Sequence, residues 1–183
     1  HEFIQLQALE DYNCDGVLIH PIIGRKKVGD FSSEIILESY KILMDKYYPK
    51  NRSLISAFQS YPRYCGPREA IFTALCRKNF GCSHFIIGRD HTGIQDFYKE
   101  DESRKYFDEL GDLGINIMFF DNVVFDLSKK KFTSKLERGV KEISGSEIRN
   151  TFKYQKKLPN WYMREDIQQM ILSEIKKGKK VFY

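Results

Sequence analysis

Short apolar runs alternate along the chain with stretches long enough for an amphipathic helix, and this alternation restricts the fold more than any other feature. Val17-Leu18-Ile19, Leu54-Ile55-Ser56-Ala57-Phe58, Phe85-Ile86-Ile87 and Ile115 to Phe120 read as buried strands, with Val123-Val124-Phe125 just beyond the last. Helical patterns lie between them. Phe3, Ile4, Leu6, Ala8 and Leu9 share part of one helical face before the Asn13-Cys14-Asp15-Gly16 break. Ser32-Ser33-Glu34 starts a helix carrying Ile35, Ile36, Tyr40, Ile42, Leu43 and Tyr47, which Pro49 terminates. Pro67 stands where a first helical turn tolerates it, ahead of Ile71, Phe72, Leu75 and Cys76. Ser103 to Leu110 reads as a charged amphipathic helix closed by Gly111 and Gly114. Ser144-x-x-Glu147 fits a capping box for a helix over Ile148 to Tyr154, and Arg164 to Lys176 forms the last helix. Strands joined by helices predict parallel pairing, one main sheet and an α/β domain.

At 183 residues the chain has the size of one domain, or one domain with a small appendage. Its apolar runs are too short to span a bilayer, so no membrane partner is expected. The chain opens on His1, in what reads as the middle of an amphipathic helix, which predicts that it begins inside a longer protein. A formal charge of +5 suits anionic ligands but does not establish nucleic-acid binding, and aromatic single-strand recognition signatures are not evident. Lys129-Lys130-Lys131, Lys156-Lys157 and Lys176-Lys177-Gly178-Lys179-Lys180 read as solvated faces. Cys14, Cys65, Cys76 and Cys82 lack CxxC spacing and predict reduced thiols in a cytoplasmic protein. Cys65, Cys76 and Cys82 read as small buried hydrophobes.

Polar clusters fall at strand ends and helix starts, where open α/β sheets bind ligands. After Phe85 to Ile87, Gly88 and Gly93 bracket Arg89, Asp90 and His91, so backbone amides can approach an anion beside a permanent cation. A charged surface turn explains the same residues in isolation, and both readings stand on the residues alone. In ISGSEIRN, Ser144 and Glu147 serve an ordinary helix cap, while the helix N-terminal amides with Arg149 one turn further in suit a phosphate; the two readings are compatible. His20 reads alone as a structural residue at a strand end, and Arg63, Arg68 and Glu69 as an architectural group pairing beneath a site.

Taken together, HPIIGRKKVGD at 20–30, YPRYCGPREAI at 61–71, GRDHTG at 88–93 and ISGSEIRN at 143–150 resemble the HPLVG, RYAGPREAI, GRDHAG and SGTxxR blocks of the ATP sulfurylases, in the same order. The resemblance extends over nearly the whole chain and implies a Rossmann-like nucleotidyltransferase domain of the HxxH/HxGH superfamily, a parallel sheet flanked by helices. It divides the chain into an α/β core, residues 1–142, lacking its first strand, and a small C-terminal helical segment, residues 143–183. His1-Glu2 matches the end of the family's QxRNPxHxxHE signature, whose earlier residues are absent from this sequence. A non-catalytic nucleotide-binding or assembly module of the same fold is the alternative implied by that absence.

The resemblance further implies a reaction in which a sulfate oxygen attacks the α-phosphorus of magnesium-bound ATP, yielding adenylyl sulfate and pyrophosphate, or the reverse. It assigns catalysis to His1, Arg89 and His91. ATP contacts fall on His1, Gly88, Arg89, Asp90, His91, Val123, Ser144, Gly145, Ser146 and Arg149. Arg89 and His1 serve the phosphate tail, Gly88 and Asp90 the ribose, and Val123 the adenine wall, while His91 either orients its loop or touches ligand. Sulfate falls to Thr92, through its backbone amide, and to His20. Val124 to Glu142 contains no cysteine or histidine, so the zinc site of some bacterial relatives is not expected. A homo-oligomer and a fused or partner adenylyl-sulfate kinase are compatible with the resemblance.

Overall fold

The computed structural model describes residues 1–88, 102–120, 122–134, 139–142 and 144–183. In chain order its elements begin with α1 (Glu2–Asp11), β1 (Val17–Ile19), α2 (Ser33–Lys46), β2 (Ser53–Ile55), α3 (Pro67–Asn79) and β3 (His84–Ile87). They continue with α4 (Glu102–Leu110), β4 (Asn116–Phe119), β5 (Val124–Asp126), β6 (Lys131–Thr133), β7 (Val140–Glu142), α5 (Gly145–Lys153) and α6 (Glu165–Lys176). The α/β expectation holds. Two compact units share the chain, one formed by His1–Cys14 and Pro62–Val123, the other by Asp15–Tyr61 and Val124–Tyr183.

In the first unit β3 and β4 pair in parallel, with His84 opposite Asn116 and Ile87 opposite Phe119. Helix α3 starts at Pro67, whose missing N–H costs nothing in a first turn, after Gly66 at φ 54°. Its inner face packs Ala70 and Ala74 against Ile87, Phe107 of α4 and Ile115, and small residues there let helix and strand approach closely. Phe107 also meets Phe119 edge-on at 6.0 Å. Glu69 is 3% exposed. Its two oxygens accept the backbone N–H groups of Arg63 at 2.9 Å and Cys65 at 3.1 Å, folding the 63–66 turn back onto the start of α3. The side chain of Arg63 lies over the Phe72 ring at 4.7 Å. Cys65 is exposed, because this turn carries it outward; Cys76 and Cys82 are half-buried, and all four cysteines are free thiols.

In the second unit β1 and β2 pair in parallel, from Val17 opposite Ser53 to Ile19 opposite Ile55. The ladder continues past both strands through Ile22 and Phe58. Among the described residues the hydrogen-bonded ladders are two parallel pairs and a three-stranded antiparallel sheet ordered β6-β5-β7. Phe125 anchors that third sheet, edge-on to Phe132 at 5.1 Å and stacked on Trp161 at 4.6 Å. Ser32 caps α2, its hydroxyl accepting the Ile35 N–H at 3.4 Å. The end of α2 is tied to α6 by Asp166, which accepts from Lys46 at 2.8 Å and from Tyr47 at 2.6 Å. Gln168 of α6, 1% exposed, accepts the Leu158 N–H and donates to the carbonyls of Leu158 and Met163. Among the described residues, no helix is long and apolar enough to cross a membrane.

Candidate functional site

Of the four polar motifs, residues 20–30 and the described part of the last, 144–150, meet within the second unit. The 20–30 segment leaves β1 at His20, which is 8% exposed with its ring 5.0 Å from that of Phe58. Gly24 follows, where a Cβ would overlap the Ser60 carbonyl, so only glycine lets the two backbones pass so closely. The Asp30 N–H donates to the Lys27 carbonyl at 3.2 Å, closing a turn in which Gly29 takes φ 90°. Three backbone hydrogen bonds then hold this turn to the C-terminal segment: Gly29 N–H to the Tyr183 carbonyl, Tyr183 N–H to the Asp30 carbonyl, and Ser32 N–H to the Val181 carbonyl. Phe31 stacks on Phe182 at 5.0 Å and meets the fully buried Phe152 of α5 at 6.1 Å.

Helix α5 begins as the capping pattern requires, with the Ser144 hydroxyl accepting the Glu147 N–H at 3.3 Å. The reciprocal arm runs through a third residue. The Ser144 N–H donates to the Tyr162 hydroxyl at 2.7 Å, and that hydroxyl donates to the Glu147 carboxylate at 2.7 Å. Partial burial pushes the Tyr162 phenol above its ordinary pKa; the Ser144 N–H opposes this and the Glu147 carboxylate adds to it.

One stripe of α5 carries Ser146, Arg149, Asn150 and Lys153, a three-and-four spacing that places them on a common face. With Lys27, Val28, Gly29 and Asp30 they line a pocket of about 270 Å³. Arg149 spans it, its guanidinium 3.7 Å from the Asp30 carboxylate and donating to the Ser146 hydroxyl at 3.2 Å. Lys26, beside this turn, has its ammonium pKa lowered by burial, with Asp30 and Glu34 opposing the shift. Three cations against one paired carboxylate make the pocket suited to an anion.

The structure therefore brings together Ser146 and Arg149 of the expected ATP contacts, with Ser144 capping the same helix and Gly145 in its first turn. A Cβ on Gly145 would approach the Arg149 guanidinium to 3.1 Å. His20 belongs to the same unit but does not line the pocket. In the first unit, His1 is exposed at the start of α1, its carbonyl accepting the Gln5 N–H at 3.0 Å. Gly88 directly follows the carboxyl end of β3, half-buried, with nothing among the described residues within 4 Å of a Cβ built there. Val123 is half-buried just before β5. Arg89, Asp90, His91 and Thr92 lie outside the described residues. Among the described residues, no group of three or more histidine, cysteine, aspartate or glutamate side chains could hold a metal ion.

Lys27, Asp30, Asn150 and Lys153 were not singled out from the sequence. The α5 stripe was legible in principle from its helical spacing; Asp30 carried no local signal, because its partner lies far along the chain.

A family model described as ATP-sulfurylase matches residues 1–174. The sulfate adenylyltransferase of Pyrococcus abyssi is 39% identical over 178 residues, covering 94% of this chain and 46% of that protein. That of Staphylothermus marinus is also 39% identical, with the same coverage. A probable bifunctional SAT/APS kinase 2 from Sorangium cellulosum is 36% identical over 183 residues, 96% of this chain and 31% of that protein. A hexameric APS kinase from Thiobacillus denitrificans shares the fold, with a TM-score of 0.65 at 17% identity over 97% of this chain and 33% of that one. The chain spans about half the length of the curated sulfate adenylyltransferases described here.

Proposed function

The chain belongs to the ATP-sulfurylase family, and from that premise we propose that the full-length protein transfers the adenylyl group between ATP and sulfate. A sulfate oxygen attacks the α-phosphorus of ATP, the bond from that phosphorus to the oxygen bridging to the β-phosphate breaks, and pyrophosphate leaves with the electron pair. No protein nucleophile is needed. The protein's work is to align the two anions and to neutralise charge on the phosphoryl oxygens. Magnesium enters as part of the nucleotide substrate.

Arg89 offers the phosphate tail a bidentate, permanently charged donor set, with His1 beside it in the same role. Gly88 and Asp90 take the ribose hydroxyls, Val123 an adenine face, and His91 a loop-orienting or ligand contact. Thr92, through its amide, and His20 take sulfate. Ser144, Gly145, Ser146 and Arg149 offer phosphate the start of α5. The observation that carries this reading is the family match across residues 1–174, and the meeting of two of its motifs around a basic pocket supports it. Free thiols support a reducing, cytoplasmic setting. The bifunctional name of the Sorangium relative supports passage of adenylyl sulfate to a fused or partner kinase, and the hexameric neighbour supports a homo-oligomer.

The test is pyrophosphate release from ATP by the full-length protein with and without sulfate. We expect release only with sulfate, and a loss of about 10²–10³ in kcat/KM for Arg89→Ala, the effect of removing one preorganised charge donor. Nucleotide binding with no sulfate-dependent turnover would replace the enzyme with a binding module.

A further inference from the structure

We propose that Cys14 is a nucleophilic thiol, activated by the imidazole of His84, that exchanges with small disulfides and carries a reversible mixed disulfide. This goes beyond the adenylyl-transfer reading, which gives neither residue a role. Both belong to the first unit, where His84 opens β3 at the end away from Gly88.

The thiol is placed by backbone chemistry close to it in sequence. Helix α1 ends at Asp11, and Asn13, at φ 46°, takes a left-handed conformation that asparagine tolerates better than most residues. The Asn13 N–H donates to the Glu10 carbonyl and the Cys14 N–H to the Leu9 carbonyl, each at 3.1 Å, the pair of bonds that closes a helix through such a residue. That cap folds Cys14 back over the helix end, half-buried, with its Sγ 3.7 Å from Nδ1 of His84. The Tyr12 ring also lies against the imidazole, with 5.9 Å between centroids.

His84 is placed to take the thiol proton. The side-chain amide nitrogen of Asn116, its partner across the ladder, stands 3.4 Å from Nε2. A half-turn of this exposed amide puts the oxygen there instead, where it accepts Nε2–H and leaves the Nδ1 lone pair toward the thiol. The Ser83 hydroxyl, 2.9 Å from Nδ1, donates to the neutral ring and accepts once Nδ1 is protonated. The Cys14 sulfur attacks one sulfur of the disulfide, the S–S bond breaks, and the proton held by His84 passes to the departing thiolate. Cys14 is oxidised to the mixed disulfide as the departing half is reduced to a free thiol. Among the described residues, Cys65 and Cys82 have no imidazole against them. Cys65 is exposed and its Sγ donates to the Arg63 carbonyl at 3.4 Å, while burial pushes the Cys82 thiol pKa up, with Arg77 opposing.

Timed reaction of the full-length protein with dithiodipyridine, a neutral disulfide, read cysteine by cysteine by mass spectrometry, tests the assignment. Cys14 should react ahead of Cys65, although Cys65 is the more exposed. An unassisted thiol is only a few per cent thiolate at neutral pH, so His84→Ala should slow Cys14 by about ten-fold and leave the Cys65 rate unchanged. Free imidazole added to His84→Ala should restore part of the Cys14 rate, which a purely structural role for the ring would not give. Cys14 reacting no faster than Cys65 in the unaltered protein overturns the proposal without recourse to any variant. An unchanged Cys14 rate in His84→Ala, or a parallel change at both cysteines with no rescue by imidazole, overturns it as well.

Discussion

A methyl group at Gly24 would collide with the Ser60 carbonyl, and neither backbone has slack to yield, because Ile23 N–H already donates to the Phe58 carbonyl at 3.0 Å. Gly24→Ala should therefore destabilise the protein by about 1–3 kcal/mol, the cost of overpacking, read from urea unfolding midpoints. Gly88 is the opposite case. Nothing among the described residues lies within 4 Å of a Cβ there, so Gly88→Ala should leave stability within about 0.5 kcal/mol while raising the KM for ATP through the ribose contact proposed for it. An unchanged KM would remove Gly88 from the site. Asp126, 3% exposed, shows what a buried carboxylate does in a turn. The Ser128 hydroxyl, then the Lys129 and Ser128 amides, donate to it and hold its pKa well below the usual carboxylate range. Because the folded value lies below the unfolded one of about 3.9, its stabilisation is present above about pH 4 and lost as pH falls through the folded value. Asp126→Asn should flatten that acid limb in unfolding midpoints followed from neutral pH to about pH 2.

Elements were legible in the sequence where a terminus carried its own chemistry. Ser32 and Pro67 marked α2 and α3 correctly, and Ser144 marked α5, because each acts on backbone within one turn of itself. Strands β6 and β7 were not legible. Lys131 and Val140 belong to short outer strands with little to bury, and a lysine run there reads as a solvated loop. The Tyr162 bridge in the cap of α5 could not be read locally either, since its partners lie 15 and 18 residues away. Gln168 makes the same point for α6: one amide accepts a hydrogen bond from Leu158 and donates to the carbonyls of Leu158 and Met163. Gln168→Leu keeps much of the volume and strands those groups, so we expect a loss of about 3 kcal/mol in urea unfolding. A loss below that of an ordinary surface change would show that the 158–163 segment finds other partners.

For the whole molecule, the family match gives the fold its context and the net charge of +5 suits its proposed anionic substrates. Of the proposed site, Ser146 and Arg149 are brought together at one pocket, while GRDHTG lies mostly outside the described residues. Function at this scale is best checked by exchange of labelled pyrophosphate into ATP, which should require sulfate. The interleaved chain has a consequence for biosynthesis. Because the backbone passes between the two units three times, neither corresponds to a continuous stretch of message. As the ribosome delivers these residues, 15–61 emerge ahead of 62–123 and must wait for 124–183. A nascent chain halted between the two should hold residues 15–61 still without their partners, the stage at which a chaperone would have most to protect.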